Sequence, residues 1–447
     1  MMPGAWLGWF GVFRLGLIQA ALGSVVVLTT SMLNRIMVVE LALMALLPGA
    51  LVGFYYALQM LRPRLGYGSD QSGRRTPWII GGIAVLALGG VLAAVATAWM
   101  DRALVPGLAL AVASFMLIGL GAGAAGTSLL VLLAKRVDAR RRPTAATVVW
   151  LMMIAGFIVT TATAGQFLDP FSWPRLIAVS SGVSLVALII TVVAVWGIEG
   201  NAVDAVAEPD PEAPPADVPF REAIREVWAE PVARQFTLFV FVSMLAYSAQ
   251  DLVLEPFAGA VFDLTPGEST TLASVQYGGV LLGMLLVGIL GPRFGSLRIW
   301  MLGGCMGSAV MLTTLATAGF VGPSFPLYPV VFLLGTALGS FAVAAIGSMM
   351  GLVGTGRAHR EGIRMGLFGA AQAIAFGLGG ILATAGVDLT RWLTGTPLWA
   401  YATVFVLEGV VFLFAAVLAV RLGRLKETEQ RLAVTAPGKG FAEGLGN

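Results

Sequence analysis

The feature that most constrains this chain is a series of apolar runs, each about twenty residues long, that recurs along most of its 447 residues. A helix of that length spans about 30 Å, the thickness of a bilayer's hydrocarbon core. Lipid supplies no partner for backbone N–H and C=O groups, so repeated runs of this kind can only form a bundle of spanning helices. Composition supports the same reading: 58% of the residues are apolar and 11% charged, too few polar groups to clothe a water-facing surface.

Twelve runs can be read, with boundaries good to a few residues. In the first half they lie at roughly 15–33, 36–60, 78–99, 104–133, 146–168 and 175–197. In the second half they lie at roughly 236–258, 270–290, 297–319, 328–352, 363–387 and 398–420. Between the halves, Asp204, Glu208, Asp210, Glu212 and Asp217 alternate with five prolines from Pro209 to Pro219, a composition that cannot bury enough surface to fold. The expected organisation is a six-helix half (1–198), a solvated acidic linker (199–219), a second six-helix half opened by a short surface helix (220–425) and a polar tail (426–447). The surface helix is read from Phe220, Ile224, Val227, Trp228 and Val232, which recur at helical spacing opposite Arg221, Glu222, Arg225 and Glu226; an extension of the next span reads equally well.

Lys and Arg concentrate in one set of loops, at Arg62, Arg64, Arg74 and Arg75, at Lys135 to Arg142, and at Arg357, Arg360 and Arg364. Short basic loops stay cytoplasmic, so both termini and the linker are expected on that side. The net charge of +3 reflects these retention signals and gives no reason to expect a nucleic-acid partner. No basic segment precedes the first run, which is long enough to span, so a retained helix rather than a cleaved leader is expected.

Cys305 is the sole cysteine and lies inside the ninth run, which excludes an intramolecular disulfide and a thiolate metal cluster. His359, the sole histidine, falls in a basic loop, so no membrane site can be built from several imidazoles. No phosphate-binding loop, metal-spaced histidine set or nucleophile with a histidine partner is present. On these grounds the chain is expected not to be an enzyme.

The loop after the second run reads Gly66-Tyr67-Gly68-Ser69-Asp70-Gln71-Ser72-Gly73-Arg74-Arg75. It is similar to the GxxxDxxGRR signature of the major facilitator superfamily, whose fold is all-α, with twelve transmembrane helices in two six-helix pseudo-repeats. Glycines permit a tight turn, and Asp70 can pair with an arginine or a helix N-terminus as a releasable latch formed by Gly66, Asp70, Gly73, Arg74 and Arg75. Gln71 stands where that family has a basic residue, and the matching loop, Gly291 to Arg298, has no aspartate, so the latch is expected to be one-sided.

Four further segments, Arg14 to Gln19, Leu33 to Glu40, Arg62 to Asp70 and Ala249 to Phe257, resemble the PucC/LhaA or bacteriochlorophyll delivery family of phototrophic bacteria. The resemblance covers nearly the whole chain. It implies an inner-membrane or chromatophore assembly factor for light-harvesting complexes, with bacteriochlorophyll a as cargo and antenna polypeptides as partners. Bacteriochlorophyll synthase, the protein translocation machinery and membrane lipids are the further partners it implies. With no membrane-embedded imidazole available, bound pigment would take a carboxylate, amide, carbonyl or water oxygen on its magnesium.

Ionisable residues inside spans are costly and mark candidate sites. Tyr247, Asp251 and Glu255 are spaced by four and share one face of the seventh helix, with Gln250 beside them and Pro256 removing a backbone donor. Such a face can bind protons or cations, which keeps open a proton-coupled transporter of small solutes. Arg14, Gln19, Glu40, Gln276, Gln372 and Glu408 complete the polar set. Arg35 and Glu40 are expected to pair across the first outer turn, and Glu408, among apolar neighbours near mid-span, to be neutral, paired or facing a polar cavity. Glycine faces on the fourth (Gly119, Gly121, Gly123, Gly126) and eleventh (Gly377, Gly379, Gly380) spans read first as helix-packing surfaces, although a pigment ring or antenna helix could dock on them.

Overall fold

The computed structural model describes residues 6–62, 74–138, 140–199, 220–291, 293, 296–353 and 361–435. Among these, helices account for nearly everything and no strand occurs. In the first half they are α1 (Trp9–Glu40), α2 (Leu46–Leu61), α3 (Thr76–Met100), α4 (Leu104–Arg136), α5 (Arg142–Leu168) and α6 (Trp173–Val195). A short helix, α7 (Phe220–Ala229), ends at Glu230, where the backbone turns extended before Pro231 starts the next helix. The second half comprises α8 (Pro231–Phe262), α9 (Pro266–Leu290), α10 (Leu297–Val321), α11 (Leu327–Val353), α12 (Glu361–Thr394) and α13 (Pro397–Thr435).

Eleven of these helices are long and apolar enough to cross a membrane, and the chain is a multi-pass membrane protein of the fold expected. The twelfth place is filled by α2, whose 16 residues reach about 24 Å. The boundary between the first two runs needs correction. α1 does not stop at residue 33 but continues to Glu40 through two π-helical turns, Leu28–Met32 and Ile36–Glu40. α2 begins at Leu46, not 36. Glu40 therefore closes the first helix rather than lying on the second, and its pairing with Arg35 is made within one helix across five residues, a π-turn's spacing.

The two halves repeat the same packing. In the first, α1 packs on α5 and α6, and α3 on α4 and α6; in the second, α8 packs on α12 and α13, and α10 on α11 and α13. Across the halves, α5 packs on α9, and α2 on α12. Glycine makes the tightest crossings possible: a Cβ on Gly82 would come within 2.7 Å of the Ala125 nitrogen, and one on Gly304 within 2.6 Å of the Phe341 nitrogen. Large apolar side chains point outward over most of the bundle, with Trp99, Trp392 and Trp399 exposed near one set of helix ends and Trp6, Trp9 and Trp196 near the other, as amphipathic indoles are at a membrane interface.

Candidate functional site

The polar face of α8 is built from helical periodicity: Tyr247, Asp251 and Glu255 lie one above another toward the middle of the bundle. Gln276 Nε2 on α9 donates to Gln250 Oε1 at 2.9 Å, and Gln250 Nε2 donates to Asp251 Oδ1 at 3.0 Å, so the acid is reached by a relay of side-chain amides. Aromatic rings from four other helices surround it. Tyr56 (α2) lies 5.4 Å and Tyr247 5.8 Å from the Phe376 ring (α12), while Phe157 (α5) packs edge-on against Tyr277 (α9) at 5.1 Å.

Glu255 is 2% exposed and accepts from Ser31 of α1, while its second oxygen has no hydrogen-bond partner. One turn away, Asn34 donates to the Leu252 carbonyl at 2.7 Å, and its own side-chain oxygen is unpaired. Arg35 is 2% exposed, pairs with Glu40 and also donates to the Leu264 carbonyl at 2.6 Å. Asp251, Glu255, Gln250, Gln276 and Tyr247 are thus brought together. Among the described residues no hydrogen bond joins the other polar residues to this cluster. Arg14 donates to the Val193 and Trp196 carbonyls and ties α1 to the end of α6, while Gln19 donates to Met153 Sδ at 3.2 Å. Gln372 is half-buried one turn before Phe376. Glu408 is 5% exposed, and among the described residues neither of its oxygens has a hydrogen-bond partner or an ion pair.

Gly66, Asp70 and Gly73 of the latch lie outside the described residues, as does His359. Arg74 is exposed and Arg75 buried. The start of α3 is held by Glu199, which accepts from the Arg75 and Thr76 amides. Partial burial alone would raise the Glu199 carboxyl, but hydrogen bonds from Thr76 and the Arg75 and Thr76 amides outweigh it and hold the group below the usual range.

The glycine faces are taken up by packing. Gly119 meets Leu58, Gly121 meets the backbone of Leu86, and Gly379 and Gly380 meet Leu245 and Leu252. A different surface is open. Between α1, α5 and α6 runs a groove of about 840 Å³, floored by Ala20, Ser24 and Gly156 and walled by Phe13, Phe167, Gly182 and Val186, with Arg175 at one end. It opens sideways, since Val159, Phe167 and Val186 are more than half exposed. Its polar groups are few: Thr160 donates to Ser24 Oγ at 2.7 Å, and Thr163 to the Val159 carbonyl at 2.7 Å. The equivalent place in the second half holds a recess of about 360 Å³ pinched by Phe241, Leu245 and Phe414. Sequence reading missed the groove because alanines and glycines on a helix read as packing residues whether or not a neighbour arrives.

A family model described as PUCC protein matches residues 32–427. The chain is 52% identical over 417 residues to the bacteriochlorophyll synthase 44.5 kDa chain of Rhodobacter capsulatus, covering 92% of this chain and 95% of that one. It is 28% identical over 439 residues to protein PucC of Cereibacter sphaeroides, covering 90% of each. Among solved structures it is similar to a bacterial homologue of the human lysosomal transporter Spinster, with a TM-score of 0.69 at 17% identity, covering 93% of this chain and 97% of the other. That likeness shows the fold, that of the major facilitator transporters. The first relative corrects the expectation of no enzymatic connection: a protein half identical over nearly its full length bears the name of a synthase chain. Absence of a soluble-enzyme motif was too narrow a ground for that exclusion.

Proposed function

The chain belongs to the PUCC protein family, and on that premise we propose that it is a membrane assembly factor that handles bacteriochlorophyll for light-harvesting antenna polypeptides. The observation that carries this reading is the sideways-open apolar groove between α1, α5 and α6. Its roughly 840 Å³ falls within the range of small-molecule sites, and its opening faces the lipid, where an apolar pigment dissolves. The name of the Rhodobacter capsulatus relative supports bacteriochlorophyll as the pigment concerned, and the resemblance to the PucC/LhaA family supports the antenna system. The groove's oxygen donors are hydroxyls, Ser24, Thr160 and Thr163, which are weak ligands for the hard magnesium cation. A weak donor suits a carrier, because antenna polypeptides offering stronger ligands can then take the pigment over.

The same reading sets the chain in an inner or chromatophore membrane, with both termini cytoplasmic by its Lys/Arg asymmetry and two six-helix halves joined by the acidic linker. Bacteriochlorophyll synthase and the translocation machinery are natural partners for a factor that receives new pigment and meets new polypeptides. The test is to purify the chain in mild detergent from a phototroph and record its near-infrared spectrum, alongside a deletion strain. Bacteriochlorophyll absorption in the purified protein is expected, and the deletion strain should make pigment and reaction centres but little antenna complex. Colourless protein together with normal antenna levels would overturn the reading.

A second reading, a proton-coupled transporter of small solutes, is favoured by one observation: two buried carboxylates, Glu255 and Glu408, and a half-buried one, Asp251, none with a basic residue in hydrogen-bond contact among the described residues. It requires pH-driven uptake that Asp251→Asn or Glu255→Gln abolishes.

A further inference from the structure

Asp251 stands among aromatic rings and meets no cation of the chain's own. Tyr56 of α2, Tyr277 of α9 and Glu408 of α13 all lie within its electrostatic reach, so helices from both halves surround it. Yet Asp251 is half-buried, as are Tyr56, Tyr247 and Phe376, and these side chains therefore border space inside the bundle. Tyr56 and Tyr247 flank Phe376 at 5.4 and 5.8 Å, each inclined to it by 50°. Phe157 meets Tyr277 at 5.1 Å and 62°. No pair is stacked, and an inclined pair covers one ring face at most, so faces carrying the negative side of the ring quadrupole remain for a ligand. The amide relay from Gln276 through Gln250 fixes the carboxylate at Oδ1, and among the described residues no other hydrogen bond reaches it. Charge nearby has one sign. Glu255 lies one turn along α8, and the basic residues within reach of this group are engaged elsewhere: Arg35 with Glu40 and the Leu264 carbonyl, Arg62 with Gln59 Oε1 at 2.6 Å.

We propose that this aromatic enclosure is a binding site for an organic cation, an amine or quaternary ammonium group held by the Asp251 carboxylate with the ring faces of Tyr56, Tyr247 and Phe376 against its apolar sides. A carboxylate inside a membrane bundle needs a positive partner, and a neutral ligand would leave it uncompensated. A hard metal ion needs several oxygen ligands to replace its water, whereas the walls here are mostly ring carbon. An alkylated ammonium group is weakly hydrated, and aromatic faces attract it when it is desolvated. The inference goes beyond the pigment reading and does not depend on it. It engages one of the carboxylates on which the transporter reading rests, but it requires binding only and no transport.

The test is equilibrium dialysis of tritiated benzyltrimethylammonium against the full-length chain in an uncharged maltoside detergent. Neopentylbenzene, which replaces the ammonium nitrogen by carbon at the same shape, is the neutral competitor. Saturable binding that neopentylbenzene does not displace is expected. Asp251→Asn, which keeps the shape of the side chain, should weaken binding by about tenfold or more. Phe376→Leu and Tyr247→Leu should each weaken it by about threefold or more, while Tyr247→Phe, which keeps the ring, should bind as the wild type does. Glu268→Gln should change nothing, because Glu268 bonds the start of its own helix, at the Thr265 amide. Absence of saturable binding to the wild type would overturn the proposal. So would equal displacement by neopentylbenzene, since the enclosure would then be merely apolar, and that comparison stands on the wild type alone should Asp251→Asn fail to fold. Wild-type affinity in a folded Asp251→Asn variant would overturn it as well.

Discussion

Filling the groove between α1, α5 and α6 should displace its occupant without disturbing the bundle, and Gly182→Trp is the substitution that does so. A Cβ placed on Gly182 meets nothing within 4 Å, and the residue lines the groove on α6. From Arg175 to Ile190 the α6 wall runs about 22 Å, and Gly182 stands about 10 Å from the Arg175 end, so an indole there blocks the middle. An indole carries on the order of 200 Å² of surface. If it denies the occupant even about 60 Å² of apolar contact, the loss is about 1.5 kcal/mol, roughly tenfold in affinity. Folding should not suffer, because replacing a helix-interior glycine gains a few tenths of a kcal/mol in propensity and no clash is created. The assay is the ratio of near-infrared pigment absorbance to protein after purification, which should fall to about a tenth. Gly288→Trp is the control: it too meets nothing within 4 Å but lies on exposed α9 surface, away from the groove. An unchanged ratio in Gly182→Trp, or an equal fall in Gly288→Trp, would refute the placement of pigment in this groove.

Three further outcomes follow from the geometry. Arg35→Met should destabilise the protein by about 2 kcal/mol and Glu40→Gln by about half that, read as detergent thermal melts, because buried Arg35 serves both Glu40 and the Leu264 carbonyl whereas Glu40 is 32% exposed. Equal losses would show that only the ion pair matters. Glu199 is held below the ordinary 4.5 by its hydrogen bonds, so its stabilisation is full above that pH and fades as pH falls through the lower folded value; wild type should lose its advantage over Glu199→Gln in that acid window, and a constant difference would contradict the assignment. Finally, His359→Ala should leave both copurifying pigment and antenna levels unchanged, since His359 is expected in a loop rather than in the bundle; pigment loss would identify it as a ligand.

Much of this was legible in the chain itself. Apolar run length fixes helices, their number and their repetition, because in lipid no other backbone arrangement satisfies its own hydrogen bonds. The four-residue spacing of Tyr247, Asp251 and Glu255 likewise dictates that they share a face of one helix. What that spacing could not supply is the partner on the other side. Ser31 and Asn34 read as ordinary small polar residues until α1 is laid against α8, and Asp169 and Asp388 as loop and helix-end acids until the N-termini of α9 and α2 arrive beside them. Even the end of α1 was a tertiary decision: residues 36 to 40 read as the start of a second span, yet π-turns carry the helix on so that Arg35 reaches Glu40 and the Leu264 carbonyl. The groove is the clearest case. Ala20, Gly156 and Gly182 permit either close packing or open space, and only the divergence of α5 and α6 over α1 makes it space, because side-chain size limits how near helices can come but cannot make a neighbour approach.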